Sequence, residues 1–595
     1  MTRVVDNAVR YRSAPGPSPA AKPIRRRRRL RIGAPGIALL VLLVYLVIGP
    51  IAMLLLSGFE NTTLGVVIRP PFPWTLENFV KMLTTQQTYS VLLATAVFAF
   101  ASLLISFVIS FALAWLVERT DIPLPGFIYV LTVAPTGMPG MISAIAWGLL
   151  ANPVNGVLNL MLRPLFHAGA STGPLNVYSM PGMIAVQSIA LVPLSFLLIT
   201  ASLRSMNPSL EDAARASGAG PLRVLARVSI PLLTPVLVGA IVYQFVTVIE
   251  GVDIPLILGL PGHVTVFSTE VYTITHPAFG LPDYGLSSAY GILLLVIALA
   301  PLILYNRVLA RAQDYATVTG KAFRPRRARL GAWRWVAFAA VMVYVAITFV
   351  LPLIVLLYGS LEPYIGAFSL SSLERLTLSG WTNAFHSHLF WSSLSNTLVI
   401  GLVSSVLVMA LSLGLSWIIV RTKSRIAWLA DILAFLPHAM PGIVIGLAVL
   451  LIYLLIPGPI YGSIWIVVIA MTTQYLSLGT RLTTGGIAQI QVGLEEAGRT
   501  SGANAARVWL RVLLPLLRPV LLNGFLLVFL TAIKNLTLPL MLQSSTNTVM
   551  ATEIWNSWND GKVTQTAVLS VILTAVTVVA SILLRRFGDA GDDRL

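Results

Sequence analysis

Enzyme chemistry needs nucleophiles, acid–base groups or metal ligands gathered at short spacing, and this chain offers few. It has no cysteine and six histidines, which removes disulfides, thiolate nucleophiles, iron–sulfur clusters and Cys-ligated zinc. Neither H-E-x-x-H nor G-x-x-x-x-G-K-[ST] occurs, so neither a zincin site nor a phosphate-cradling loop is encoded. His263, His276, His386 and His388 are scattered through loop-like segments, where an imidazole is commonly solvated. The ionisable residues that stand out lie against apolar stretches: Glu250 and Asp253 end one, and Lys534 ends another. Charge in hydrocarbon is costly, so such residues are candidates for a path or a gate. At an offset of 284 residues Glu250 aligns with Lys534. Two readings stay open: the opposite charges pair or line a path, or both snorkel to water at the span ends.

The elements that hold these groups are set by composition. Of 595 residues, 56% are apolar and 10% charged, against about 25% charged in soluble domains. The net charge of +18 sits in short blocks instead of one nucleic-acid-binding face, so no nucleic-acid partner is expected. Lys22, Arg25 to Arg29 and Arg31 precede Ile32 to Phe59, 28 residues without a charge. That stretch exceeds the roughly 20 residues needed to cross a bilayer, and it is longer than the apolar region of a cleaved signal peptide. Further spans are predicted at 91–117, 126–151, 181–203, 231–250 and 287–306, then at 333–358, 392–420, 426–455, 463–480, 515–533 and 564–584. Twelve crossings leave both termini on one side. Arg307, Arg311, Lys321, Arg324, Arg326, Arg327, Arg329 and Arg334 fill the middle linker, and Arg585 and Arg586 follow the last span. By the positive-inside rule these blocks are cytoplasmic. Trp381, Trp391, Trp555 and Trp558 lie in the opposite loops and are predicted to be interfacial anchors.

The chain repeats itself. Residues 210–236, LEDAARASGAGPLRVLARVSIPLLTPV, align without a gap on 494–520, LEEAGRTSGANAARVWLRVLLPLLRPV, and 16 of the 27 positions are identical. About two matches would arise by chance, and the shared positions include polar ones that lipid could not select. A shorter echo pairs Met138-Pro139-Gly140 with Met440-Pro441-Gly442 at offset 302. Each long repeat falls between the fourth and fifth span of its half, on the cytoplasmic side, and is too charged to cross lipid. An acidic pair (Glu211 and Asp212, Glu495 and Glu496) opens a helical run, where it complements the helix dipole. Gly218 or Gly502 then permits a turn. A second short run carries Arg223 and Arg227, or Arg507 and Arg511, at i and i+4, and Pro231 or Pro515 is predicted to open the next membrane helix. Two short helices joined at glycine make an elbow able to dock as a lever in a cytoplasmic partner.

The runs Glu211-Asp-Ala-Ala-Arg-Ala-Ser-Gly218 and Glu495-Glu-Ala-Gly-Arg-Thr-Ser-Gly502 resemble the E-A-A-x-x-x-G loop of ABC importer permeases. The resemblance covers nearly the whole chain and implies an all-α polytopic membrane protein of about 12 transmembrane helices. These form two pseudo-symmetric six-helix halves, each with a cytoplasmic coupling helix. The implied boundaries are a basic tail over 1–31, a first permease domain over 32–310, a basic linker over 311–332, a second permease domain over 333–586 and a C-terminal tail over 587–595. Glu211, Asp212, Ala213 and Gly218, with Glu495, Glu496, Ala497 and Gly502, become the residues coupling to an ATPase. Departures are Asp212 in the place of the first alanine and Gly498 where the first half has Ala214. The chain itself is then not an enzyme and carries no cofactor or metal: ATP and Mg2+ belong to two copies of a cytoplasmic ABC ATPase. A solute-binding protein docks on the extracytoplasmic face, and the location is the bacterial inner membrane. Glu270 and Glu553, matched in the repeat, are candidate contacts for that binding protein. The fused form is most similar to permeases for ferric iron, with polyamine, thiamine and aminoalkylphosphonate systems as alternatives. An ion-coupled secondary transporter is the rival class, since it also divides into two halves, but it needs no cytoplasmic docking loops.

Overall fold

The computed structural model describes residues 34–60, 74–166, 173–206, 209–312, 327–363, 374–422, 425–456 and 458–592. The basic block at 22–31 and most of the linker, 313–326, lie outside the described residues. Among the described residues the fold is all-α, with isolated bridges in place of strands. Helix is what lipid demands, because every backbone N–H and C=O must find its partner within the segment. Among the described residues eight helices are long and apolar enough to cross a membrane, and three bent helix pairs raise the number to 11. The remaining predicted span folds as Ile464–Gln489, 26 residues. Its Thr and Gln content lowers its hydropathy, and its hydroxyls are used in packing.

The third predicted span of each half is not one rod. Pro125–Gly137 meets Gly140–Ala151 at 96°, and Arg425–Ala439 meets Gly442–Leu455 at 107°. Each break follows a 3-10 turn, Ala134–Gly137 or Leu436–Ala439, and falls at the repeated Met-Pro-Gly. Proline lacks an N–H and pushes the residue before it to extended backbone, so Met138 and Met440 leave the helix. The second limbs, Gly140–Ala151 and Gly442–Leu455, are buried almost throughout and form the centre of the main core.

Pro231 and Pro515 do not open their helices. Pro221–Val224, a π turn over Leu225–Ser229 and Ile230–Glu250 follow one another with a 61° bend between Leu225–Thr234 and Val236–Glu250, whereas Ala505–Val508, Trp509–Leu513 and Leu514–Lys534 run on as one span. The N–H of Ile230 bonds the Leu225 carbonyl, and that of Leu514 bonds Trp509. One widened turn thus absorbs the N–H that the following proline cannot supply. The same device precedes Pro352, where the N–H of Leu351 reaches Ala346. The second arm of each elbow is therefore the root of a membrane helix, bent in the first half and continuous in the second, and not a separate short helix.

Each half lends its first helix to the other. Ala34–Gly58 packs on Gly442–Leu455 and places Leu43 and Val47 among Leu415, Leu433 and Leu476. Trp333–Leu361 packs Val341 and Val345 against Leu113, Ile128 and Val192. The second and fourth helices of each half cross through small and hydroxyl residues, the usual means of close approach between membrane helices. In the second half the Ser416 hydroxyl lies 2.6 Å from that of Thr483, and an added Cβ on Gly479 would stand 2.5 Å from Ser412 Oγ. In the first half Ser106 and Ser195 meet at 3.4 Å. The last helix, Val563–Asp592, continues past the predicted boundary at 586, because a helix ends where backbone bonding stops and not where hydropathy falls. The middle boundary shifts likewise, the helix Tyr284–Ala312 running beyond 310.

Candidate functional site

The two elbows have the same local construction. Ser209–Ala216 and Val492–Thr500 form their first arms. Gly218 and Gly502 then take φ of 84° and 81°, left-handed values that cost a residue with a Cβ about 1–2 kcal/mol. The glycine N–H bonds the carbonyl of Arg215 or Arg499, and the next N–H reaches Ala214 or Gly498. This paired closure satisfies the last carbonyls of the arm, so the turn angle is fixed by backbone bonds.

Of the eight residues expected to couple, Asp212, Ala213, Gly218, Glu496, Ala497 and Gly502 are exposed, whereas Glu211 and Glu495 are each 4% exposed. These two carboxylates point into the chain. Glu211 takes Arg119 at 3.3 Å, Arg215 at 3.5 Å and the Ser229 hydroxyl at 3.0 Å. Glu495 takes Arg421 at 2.7 Å. Arg119 also donates to the Leu203 carbonyl, and Arg421 to those of Ile487 and Ile490. Arg119 and Arg421 end the second helix of their halves. Each elbow is thereby bolted to that helix and to the C-terminal end of the fourth. Glu211, Asp212 and Glu495 stand in the first turn of their arms, as predicted, and Glu211 and Glu495 add buried ion pairs there. Neither arginine was singled out in the sequence, although Arg119-Thr120 and Arg421-Thr422 recur at offset 302, the offset of the Met-Pro-Gly echo.

The candidate path residues meet the broken spans. Among the described residues no ion pair joins Glu250 to Lys534; each reaches instead into the opposite half. Glu250 Oε2 accepts from the N–H of Gly442 at 3.2 Å, and Lys534 Nζ donates to the Thr136 carbonyl at 2.9 Å. Asp253 remains in its own half and accepts from the N–H of Met141. The signs follow the helix dipole: carboxylates stand at the N-terminal ends of Gly140–Ala151 and Gly442–Leu455, and the ammonium at the C-terminal end of Pro125–Gly137. At the fourth broken end the His438 ring stacks on Tyr243, with centroids 5.5 Å apart. Asn535 Nδ2 donates to the Tyr475 hydroxyl at 2.9 Å and completes a polar layer where the halves touch.

On the side opposite the elbows, Glu270 and Glu553 sit in equivalent short helices, Phe267–Thr275 and Met550–Asn559. Burial pushes both carboxyls up from the usual range, opposed by hydrogen bonds from Gln87 and Ser557 respectively. Trp391 is exposed, whereas Trp555 and Trp558 pack into the core, and Trp558 lies against Gly148 of the other half. These two indoles join the halves instead of facing lipid. Their aromatic character is the same in both roles, so residue type alone could not separate them.

Two repeated modules, each with a broken central span and a glycine-hinged elbow tied to its membrane helices, make up a two-domain membrane protein. The family model described as "Binding-protein-dependent transport system inner membrane component" matches residues 123–314 and 407–595, and the chain belongs to that family. It is 26% identical over 411 residues to a ferric transport system permease protein of Actinobacillus pleuropneumoniae, covering 67% of this chain and 58% of that protein. It is 27% identical over 367 residues to a putative ferric transport system permease protein of Haemophilus influenzae, covering 61% and 56%. The matches thus span little more than half of these relatives' own lengths. A putative 2-aminoethylphosphonate transport system permease protein of Salmonella typhimurium is 26% identical over 242 residues, 40% of this chain and 88% of that protein. The crystal structure of a bacterial ABC transporter for alginate import aligns with 20% identity over 46% of this chain and 94% of that one, at a TM-score of 0.39.

Proposed function

We propose that the chain is the translocation subunit of an ATP-driven, binding-protein-dependent importer, with ferric iron as its cargo. The observation that carries this reading is the pair of elbows, exposed along their outer faces and bolted through Arg119–Glu211 and Arg421–Glu495 to membrane helices. A lever bolted to membrane helices transmits force; a loop facing lipid headgroups needs no such bolt. In this reading two copies of an ATPase hold ATP and Mg2+ and pull on the exposed side of the elbows at Asp212, Ala213 and Gly218, and at Glu496, Ala497 and Gly502. Glu211 and Glu495 act as positioning residues for the levers. Both termini and both elbows are cytoplasmic, and a solute-binding protein delivers cargo to the opposite face. Movement of the halves breaks the contacts of Glu250 and Lys534 with the opposite broken spans and opens the path.

Ferric iron is favoured by the similarity to ferric permeases in two organisms. A phosphonate cargo is the second reading, supported by the match that covers 88% of the aminoethylphosphonate permease. The absence of native cysteine makes the lever assignment directly testable. Ala213→Cys and Ala497→Cys chains, each mixed with the ATPase and a short bifunctional thiol–amine crosslinker, should give a crosslinked species of chain plus ATPase. If both thiols react with a small maleimide but neither yields that species, the assignment fails.

A further inference from the structure

Beside the first elbow lies a cavity of about 940 Å³ that the coupling role leaves unused. Three of its walls are the elbow arm (Glu211, Asp212, Arg215, Ala216), the root of the fifth helix (Leu225, Ser229) and the end of the linker, where Arg327 and Arg329 flank Ala328. The linker is stitched there by backbone. The N–H of Ala328 bonds the Arg119 carbonyl at 2.8 Å, and Asp121 N–H returns to Ala328 at 3.1 Å. Asp121 also accepts the N–H of Leu330 at 2.8 Å. The fourth wall is Trp115, one turn before the end of the membrane helix Gln86–Arg119.

The charges in this cavity do not cancel. Both carboxylates are already engaged: Glu211 with Arg119 and Arg215, and Asp212 with Arg215. Arg327 and Arg329 are exposed, and among the described residues no carboxylate lies within ion-pair distance of either. The cavity shares Asp212 with the proposed lever surface but not Ala213 or Gly218. It is lined by 211, 212, 215, 216 and 219, while Ala213 and Ser217 are exposed away from it. A guanidinium pair is suited to bidentate contact with phosphate oxygens. An indole at the membrane boundary beside it is suited to the glycerol and upper acyl region of a lipid.

We propose that this cavity binds a phosphate group carried by an anionic phospholipid of the leaflet that meets the elbows, with Arg327 and Arg329 holding the phosphate and Trp115 the lipid body. A group seated there joins linker, elbow and membrane helix in the first half. The inference rests on the cytoplasmic orientation proposed above but not on ATP coupling, and its test requires no transport.

The test is native mass spectrometry of the full chain equilibrated in detergent with phosphatidylglycerol or with phosphatidylcholine. The expected result is selective retention of one phosphatidylglycerol, weakened roughly thirtyfold in an Arg327→Gln/Arg329→Gln chain, since each basic residue near a charged membrane surface adds attraction. An Arg507→Gln/Arg511→Gln chain, altered at the second elbow, should retain the lipid as the parent does. Unchanged thermal unfolding and a monodisperse profile exclude a folding defect. If inorganic phosphate displaces the lipid and binds alone with the same dependence on both arginines, the phosphate site stands with the free ion as its source. Equal retention of the two lipids, or retention unaffected by the double substitution, overturns the proposal. Release of the lipid on assembly with the ATPase would make the cavity part of that protein interface, and would overturn it equally.

Discussion

The two halves are alike at the elbows and unlike at the broken spans. On the elbow side the same glycine turn, the same buried Arg–Glu bolt and the same π turn before proline occur twice. In the membrane Glu250 stands where the second half has Lys534, and Asp253 where it has Thr537. If the elbows seat in two copies of one partner, as proposed, they are constrained to stay alike, whereas a path shared by both halves is free to become asymmetric. Glu250 and Lys534 then each stabilise the end of the other half's broken helix that has the opposite dipole sign, while Asp253 does so within its own half.

The bolts themselves differ in detail, and the largest effect is expected there. Arg421→Ala removes the ion pair with Glu495 and two carbonyl bonds, leaving a buried carboxylate alone. The cost should be about 3–5 kcal/mol, read as a lowered thermal midpoint of the purified chain. Arg119→Ala should cost clearly less, because Arg215 and Ser229 still hold Glu211. Equal losses would show that the two elbows are anchored alike.

Next in size is the crossing of second and fourth helices. Gly479→Ala forces a Cβ to 2.5 Å from Ser412 Oγ and 2.7 Å from Val408, an overpacking expected to cost about 1–3 kcal/mol. The equivalent position in the first half is Ser195, which already accommodates a side chain. Ser195→Ala should therefore lose no more than about 1 kcal/mol, the worth of its hydrogen bonds. Thermal unfolding of both variants side by side checks the contrast.

The elbow turns should behave as twins. Gly218→Ala and Gly502→Ala meet no atom within 4 Å, so only backbone strain of about 1–2 kcal/mol remains, equal in the two. Asparagine, which tolerates the left-handed region, should restore much of the loss. Limited proteolysis of the elbows gives the comparison, and a large difference between the twins would contradict it. The smallest expected effect is a coupling. Since Glu250 and Lys534 bond different broken spans, Glu250→Gln and Lys534→Met should add within about 0.5 kcal/mol in unfolding experiments on the single and double variants. A larger interaction energy would restore the direct pairing.

Legibility in the sequence followed how local each feature was. The elbows were visible because Glu, Gly, Arg and Pro recur at fixed positions over 27 residues. The breaks at Pro139 and Pro441 were marked by the repeated Met-Pro-Gly, yet hydropathy runs unbroken through them, so each span looked straight. The π turns were hidden because proline at 231 and 515 suits a helix start as readily as a widened turn. What Glu211 and Glu495 contact was out of reach for another reason. Their partners Arg119 and Arg421 lie 92 and 74 residues away in the chain, and hydropathy treats those arginines only as the end of a span. The exchange of first helices between halves leaves no local mark at all, since Ala34–Gly58 is apolar around its circumference and could have packed on either half.

ATP-driven uptake tests the central claim most directly. Vesicles holding the purified chain with its ATPase, supplied with the iron-loaded binding protein on the opposite face, should accumulate iron only when ATP is present on the elbow side. An Arg421→Ala chain that still inserts and binds the ATPase should hydrolyse ATP without accumulating iron. Uptake by the chain alone, with neither ATPase nor nucleotide, would contradict the account.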